Sequence, residues 1–213
     1  MLIRLRTLTL ALSALLFIII SPASADEKLT KMPLNLYVFL HDDIPQALRE
    51  NISKDYFSWL RKDLESFTHR RVYVNFVHNV APLTEYAYQG GNLTNILSGW
   101  SDSVKDYADK NNLPINRRTK YLLLTNEKIN GQTLGIAGQQ HYAGIASLGS
   151  YPAAAHELGH MFGGTHDHSE VLYKDGWWCE TNIFPTRVGV RTNCYHYSDK
   201  NKEAITAYLS ESP

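Results

Sequence analysis

Residues 156–167 constrain this chain more than any other stretch of its sequence. His156 and His160 are four residues apart, so on an α-helix they share one face, about 6 Å apart along the axis. Both imidazoles can then bind one zinc ion, at about 2.0 to 2.1 Å. Glu157 lies roughly 100° around the helix from His156, which places it near the metal without making it a ligand. The pattern predicts a helix that carries a zinc site and a general base.

His166 could not reach the same metal from a straight helix, because ten helical residues span about 15 Å. Gly163 and Gly164 precede it, and glycine accepts the positive φ that ends a helix and lets the chain turn back. We therefore expect the helix to end near Gly163 and His166 to reach the metal from the loop that follows. A helix that merely contains two histidines is the alternative, but it would not explain the third histidine.

The sequence pattern His-Glu-x-x-His-x-x-Gly-x-x-His, followed by Asp167, resembles the zinc-binding motif of the metzincin metallopeptidases. The aspartate is typical of adamalysin- or reprolysin-like members. The resemblance implies that His156, His160 and His166 bind one catalytic zinc ion and that Glu157 is the base. It also implies an α+β fold with a mostly parallel twisted sheet and an antiparallel edge strand. A long active-site helix and a small irregular C-terminal subdomain ending in a helix complete that fold.

The chain departs from metzincins in the turn beneath the zinc, where the family has a methionine. No methionine follows His166, and our candidate for the turn is segment 193–198. One alignment, with the Met-His-Tyr of astacin-like members, puts Tyr195 in the methionine position and lets Tyr197 bind the zinc or the oxyanion. Another, with the Cys-Ile-Met of adamalysins, puts His196 there. Plain packing is the alternative role for Tyr197.

The amino terminus predicts export. Arg4 and Arg6 form a basic start, residues 8–20 are apolar, and 23–25 form a small-residue cleavage site, so residues 1–25 are expected to be a secretory signal peptide. The apolar run of 13 residues is shorter than the roughly 20 needed to span a bilayer, which leaves an uncleaved anchor as the minor alternative. We expect a secreted or periplasmic protein.

Residues 26–213 are expected to form one metzincin-like domain, with an upper subdomain at about 26–163 and a lower one at about 164–213. Removing Arg4 and Arg6 lowers the basic count from 21 to 19 against 21 acidic residues, a net charge of −2. This balance indicates neither a nucleic-acid nor an anionic-membrane partner. We expect a monomer that acts on a peptide or protein substrate.

Cys179 and Cys194 are the only cysteines. In an oxidising compartment they are expected to form a disulfide, worth about 3 kcal/mol by the chain-entropy model. A metal site made of two cysteines alone is the weaker alternative. Trp177 and Trp178, beside Cys179, are expected to belong to the core or to cover the disulfide, and a substrate platform is the less favoured alternative.

Hydrophobic periodicity predicts strands alternating with helices, and hence a parallel sheet with right-handed crossovers. The predicted elements are strands 34–40, 71–77 and 121–124, a helix 53–68 capped by Ser53, a helix marked by apolar residues from 93 to 107, and a final helix capped by Asn201. The glycine-rich stretch 131–149 suggests a mobile loop. By resemblance it is instead the edge strand of Gly135, Ile136 and Ala137, which pairs with an extended substrate, followed by a last parallel strand.

The sequence thus predicts an exported zinc endopeptidase. In this hypothesis Glu157 takes a proton from a zinc-bound water, which attacks the scissile carbonyl, and returns it to the leaving amine. Zinc and Tyr197 stabilise the oxyanion. The alternative is a secreted protease-like binding protein that keeps zinc without turnover. Glu157 disfavours that alternative, since a structural site has no use for the carboxylate. Hydrolysis of a non-peptide bond is a third hypothesis.

Overall fold

The computed structural model describes residues 31–186 and 188–210. The predicted signal peptide, residues 1–25, lies outside this part of the chain. Within the described ranges, no helix has the length and apolar character needed to cross a membrane.

The fold is mixed α and β around a five-stranded sheet. The strands lie in the order β2-β1-β3-β5-β4, and all neighbours are parallel except β4 and β5. They are β1 Lys31–Leu40, β2 Arg70–Val77, β3 Thr119–Thr125, β4 Gly135–Ala137 and β5 Ala143–Ser147. Every residue of β3 and β5 is buried, as expected for central parallel strands covered on both faces. The predicted parallel sheet with an antiparallel edge strand is confirmed.

Helices cover both faces of this sheet. They are α1 Gln46–Arg49, α2 Ser58–Thr68, α3 Leu93–Lys110, α4 Ala153–Met161 and α5 Asp199–Ser210. A π-helical turn, Ser53–Phe57, runs directly into α2, and Ile52 precedes it without a side-chain cap. The predicted cap at Ser53 is therefore wrong. Asn92 caps α3, because its side chain accepts hydrogen bonds from the backbone N–H groups of Thr94 and Asn95.

Two apolar clusters hold the helices to the sheet. Side chains alternate along β1, so Leu36 and Val38 join the cluster that includes α2 and α4, while Phe39 packs edge-on against Trp100 of α3. Burying a large apolar side chain stabilises a fold by about 1.5 to 3 kcal/mol. Leu158 of α4 is fully buried in the first cluster, which fixes the helix that carries the predicted zinc ligands.

A small second sheet follows α4. It consists of β6 Val171–Lys174, β7 Trp177–Glu180 and β8 Thr192–Asn193, with β6 antiparallel and β8 parallel to β7. Cys179 and Cys194 form the predicted disulfide, which indicates an oxidising environment. Trp177 and Trp178 are 69% and 54% exposed, so the prediction that they belong to the core is wrong.

The last helix begins earlier than predicted. Ser198 precedes α5, and its hydroxyl accepts a hydrogen bond from the backbone N–H of Asn201 at 3.3 Å. Asn201 therefore lies inside the helix and does not cap it. Its side chain is fully buried and faces the loop that follows α4.

Candidate metal centre

The helix α4 ends where its glycines predict. The N–H of Gly163 donates to the carbonyl of His160 at 2.9 Å, and the N–H of Gly164 donates to that of Gly159 at 2.8 Å. Gly163 has φ +98°, the left-handed conformation that terminates helices in this way. The chain therefore turns back beside the last turn of α4, and His166 follows in a single 3₁₀ turn, His166–His168.

This turn brings the three predicted zinc ligands together. The Nε2 atom of His156 lies 3.0 Å from that of His166 and 3.1 Å from that of His160, and the Nε2 atoms of His160 and His166 are 3.1 Å apart. Two histidines of one helix and a third from the following loop thus form a compact triangle of nitrogens. Within the described part of the chain, this is the single cluster of three or more metal-binding side chains.

Hydrogen bonding on the far side of two rings shows what the triangle can hold. The Nδ1 atom of His156 lies 3.1 Å from the Asn182 carbonyl, and that of His160 lies 3.0 Å from the Gly164 carbonyl. A carbonyl only accepts, so each Nδ1 carries the proton and each Nε2 presents a lone pair.

Converging lone pairs repel one another unless a cation lies between them. Zinc bound tetrahedrally at about 2.0 to 2.1 Å separates its nitrogen ligands by roughly 3.3 Å, close to the distances found. Burial also lowers the pKa of His160, which favours the neutral, metal-binding ring. The three histidines fit one metal ion, and their chemistry is compatible with zinc.

Glu157 lies inside the protein beside this triangle. Its side chain packs against the backbone of β4, and a Cβ added at Gly135 would come within 2.6 Å of the Oε1 atom of Glu157. Only glycine leaves room for the carboxyl group here. Burial raises the pKa of Glu157 to about 8, because the charged form loses its hydration. A carboxyl group in this setting can both hold and release a proton.

A cleft of about 570 Å³ opens in front of the histidines. Its walls include Gly135, Glu157 and His166, with Leu134 and Phe184 as apolar neighbours. The strand β4 is the outermost strand of the sheet, so one of its edges is free of strand pairing within the described residues. The cleft is thus bordered by a backbone edge with which an extended chain can pair.

Tyr197 lies beneath α4, on the side away from solvent. Its ring is fully buried, and its hydroxyl donates to the Ala155 carbonyl at 2.6 Å. The ring passes so close to α4 that a Cβ added at Gly159 would come within 2.8 Å of it. Burial raises the pKa of Tyr197 well above its usual value. Tyr195, by contrast, is exposed and packs on the ring of Trp59.

This placement differs from both sequence alignments of the turn, which put Tyr195 or His196 in the methionine position. The side chain under the helix is that of Tyr197. Since its hydroxyl is engaged by a carbonyl of α4, the geometry favours the packing role over contact with an oxyanion or a metal.

Asn201 fixes the loop that carries the third histidine. Its Oδ1 accepts from the N–H of Thr165 at 2.8 Å, and its Nδ2 donates to the carbonyl of the same residue at 3.1 Å. Ser198 donates from its hydroxyl to the carbonyl of His168. The start of α5 therefore holds the chain on both sides of His166.

Sequence reasoning did not identify Asn182 and Asn201 as residues that position the three histidines. Asn182 acts through a main-chain carbonyl, which any residue type would provide, so no sequence signal could have revealed it. For Asn201 the sequence predicted the role of a helix cap instead. Its polar side chain in an otherwise apolar helix face was the available signal.

Three converging nitrogens, a buried carboxyl group and an adjoining cleft together form a site able to hold one metal ion and to move a proton beside it. No model of a known protein family matches the sequence, and no curated protein matches it either.

Proposed function

We propose that the protein is an exported zinc-dependent endopeptidase of the metzincin type. One observation carries the proposal: the triangle of His156, His160 and His166 adjoins the buried carboxyl group of Glu157 at the base of a cleft. A site that only stabilises the fold needs no such carboxyl group, whereas metal-assisted hydrolysis does.

Each residue of the site has a distinct role in the proposed reaction. The three histidines hold the zinc ion, which when bound is a Lewis acid that acidifies water and polarises a carbonyl group. Glu157 accepts the proton of the attacking water at a carboxylate oxygen and donates it to the leaving amine. The carbonyls of Asn182 and Gly164 keep the rings of His156 and His160 in the ligating tautomer.

The outer edge of β4 supports a peptide as the substrate. An extended peptide can add to this edge by main-chain hydrogen bonds, which places a scissile bond beside Glu157, since that carboxyl group touches Gly135 of the same strand. A small non-peptide ester has no main chain and could not form these hydrogen bonds with the edge of β4. Tyr197 is the floor of the site in this proposal, in the place where metzincins have methionine.

Replacing Glu157 by Gln tests the proposal. The amide keeps the size of the side chain but cannot take up a proton, so zinc content should be unchanged while cleavage falls by about 10²-fold to 10⁴-fold. Zinc is measured by elemental analysis, and cleavage by mass spectrometry of a digested peptide library.

The matched control is Glu203→Gln on the exposed face of α5, which makes the same chemical change away from the cleft. It should retain full activity. Wild-type protein with one zinc ion per chain and no cleavage of any library peptide would refute the enzyme proposal.

A further inference from the structure

The hairpin of β6 and β7 exposes the aromatic side chains of Tyr173, Trp177 and Trp178 to solvent. Its turn consists of Asp175 and Gly176, which have φ +52° and +87°, the positive values of a tight two-residue hairpin turn. The disulfide of Cys179 ties the base of the hairpin to the chain beyond β8. Trp177 therefore projects from a braced support, and nothing in the described residues covers its exposed ring.

The two adjacent tryptophans of β7 lie on opposite faces of this small sheet. Trp177 pairs across the strands with Lys174, and Trp178 pairs with Tyr173, whose ring centre lies 5.1 Å from its own. Because side chains alternate along a strand, Trp177 shares its face with the disulfide, and Trp178 does not. The two indoles therefore have different surroundings despite similar exposure.

On the Trp177 face there is an open depression of about 400 Å³, which we call the Trp177 depression. It is lined by Trp177, Lys174, Asp175, Thr192 and the Cys179–Cys194 disulfide. This volume lies within the range of about 300 to 1,000 Å³ that is typical of small-molecule sites. Trp177 and the disulfide supply its apolar lining, and the polar lining residues, which also include Asn193, are together called its rim.

The rim contains both hydrogen-bond donors and hydrogen-bond acceptors. Lys174 only donates, the Asp175 carboxylate only accepts, and the Thr192 hydroxyl does both. Neither Lys174 nor Asp175 has a side-chain hydrogen bond or ion pair with any residue in the described ranges. Their opposite charges cancel, so the depression as a whole favours an uncharged ligand.

We propose that the Trp177 depression binds a neutral pyranose ring of a glycan. Such a ring has a flat C–H face that can cover an indole and hydroxyl groups around its edge that both donate and accept hydrogen bonds. Both features match the Trp177 depression: the indole of Trp177 can contact the C–H face of the ring, and the polar residues of the rim can bond its hydroxyl groups. The site lies outside the proposed zinc cleft, and the proposal does not depend on peptide hydrolysis.

Other ligands fit this surface less well. A nucleic acid requires several cations for its phosphates, and Lys174 here is offset by Asp175. Insertion into a lipid surface would carry the Asp175 carboxylate, at the tip of the hairpin, into an apolar medium at a high desolvation cost. A sugar ring leaves that carboxylate in water and uses it as an acceptor.

The experiment titrates the full-length processed protein with cellotetraose, chitotetraose and mannotetraose by isothermal calorimetry. At least one of these should bind the wild type, and Trp177→Ala should weaken that binding about tenfold or more, since it removes the aromatic wall. Trp178→Ala is the matched control, because it removes the same side chain from the next residue of the same strand but from the opposite face. Its dissociation constant should stay within about twofold of wild type.

A second variant keeps the test decisive if Trp177→Ala fails to fold. Asp175→Asn preserves the turn, because asparagine tolerates positive φ, and should weaken sugar binding several-fold by removing a charged acceptor. The proposal is overturned if none of the three oligosaccharides binds, or if Trp178→Ala weakens binding as much as Trp177→Ala. Binding to phosphatidylcholine vesicles in place of sugars would also overturn it.

Discussion

At the scale of single residues, Lys120 is the side chain whose position is least expected. It lies in the central strand β3 and is almost fully buried. Its Nζ donates to the carbonyl of His141 at 3.1 Å and to the Tyr208 hydroxyl at 3.2 Å, and it lies 5.2 Å from the ring centre of Phe162. Burial, and next the charge of Arg117, lower the pKa of Lys120 to about 7.

This shift makes stability depend on pH in a defined direction. Between about pH 7 and the ordinary lysine pKa of about 10.4, the unfolded chain holds a proton at Lys120 that the folded chain has released. Stability therefore rises with pH in this window and is lowest below it, where the buried amine is charged. The charged and titratable side chains that face the amine are Arg117 and Tyr208.

Replacing Lys120 by Met should remove this dependence. Between pH 6.5 and 9.5 the unfolding free energy of the wild type should rise by on the order of 3 kcal/mol more than that of the variant. Urea denaturation at both pH values measures the difference. Lys110→Met, at the exposed end of α3, is the control and should follow the wild type. Parallel pH profiles for Lys120→Met and wild type would show that the amine keeps its proton in the folded state.

At the scale of elements, the start of α5 supports the candidate metal centre through the loop that carries His166. The carboxamide of Asn201 makes two hydrogen bonds to the backbone of Thr165, next to His166. Gly164 allows this close approach, since a Cβ added there would come within 3.2 Å of the Oδ1 atom of Asn201. The position of the third ligand therefore depends on packing between α5 and a loop that is distant in sequence.

Replacing Asn201 by Asp or Leu should weaken zinc binding. Asp keeps the acceptor but loses the donor to the Thr165 carbonyl, and Leu loses both, so the zinc dissociation constant should increase by about 10-fold to 100-fold. Competition with a chromophoric chelator measures this constant directly, without any assay of activity.

Ile205→Ala is the control that separates a specific positioning role of Asn201 from a general loss of protein stability. Ile205 is buried on the same helix, and its truncation should cost about 2 to 5 kcal/mol of stability. Both hydrogen bonds from α5 to the Thr165 backbone come from the Asn201 side chain, and an isoleucine side chain can form none. If Ile205→Ala weakened zinc binding as much as the Asn201 variants, Asn201 would have no specific positioning role.

At the scale of the whole molecule, the apolar core is built from side chains other than the three candidate metal ligands. Two large apolar clusters cover the faces of the main sheet, and none of the three histidines belongs to either cluster. The disulfide braces the second sheet by a covalent bond. The fold therefore has other sources of stability than zinc binding.

Removing the metal should leave the protein folded. Chelation should preserve the far- and near-ultraviolet circular dichroism and lower the melting temperature, because a bound ion at 1,000 times its dissociation constant contributes about 4 kcal/mol. Peptide cleavage should disappear and return when zinc is added. Cooperative unfolding on chelation would instead identify a structural zinc site and favour the hypothesis of a binding protein without turnover.

Much of the architecture was predictable because it follows from local patterns. The alternation of strands and helices predicted the parallel sheet, and the positive φ of Gly163 was predictable from its residue type. Errors concentrated where distant segments meet. Asn201 resembled a helix cap, and Trp177 resembled a core residue, because the polarity of a side chain does not specify which part of the chain will lie beside it.

For this protein, sequence by itself determined that three histidines converge, since His156 and His160, four residues apart, share a helix face and glycine permits the turn that returns His166. Only the tertiary structure decided what surrounds those ligands. It placed Tyr197 rather than Tyr195 beneath the helix and put the backbone of Gly135 against Glu157. The physical reason is range: helix periodicity and positive φ act within a few residues, whereas burial and close packing join segments far apart in the chain.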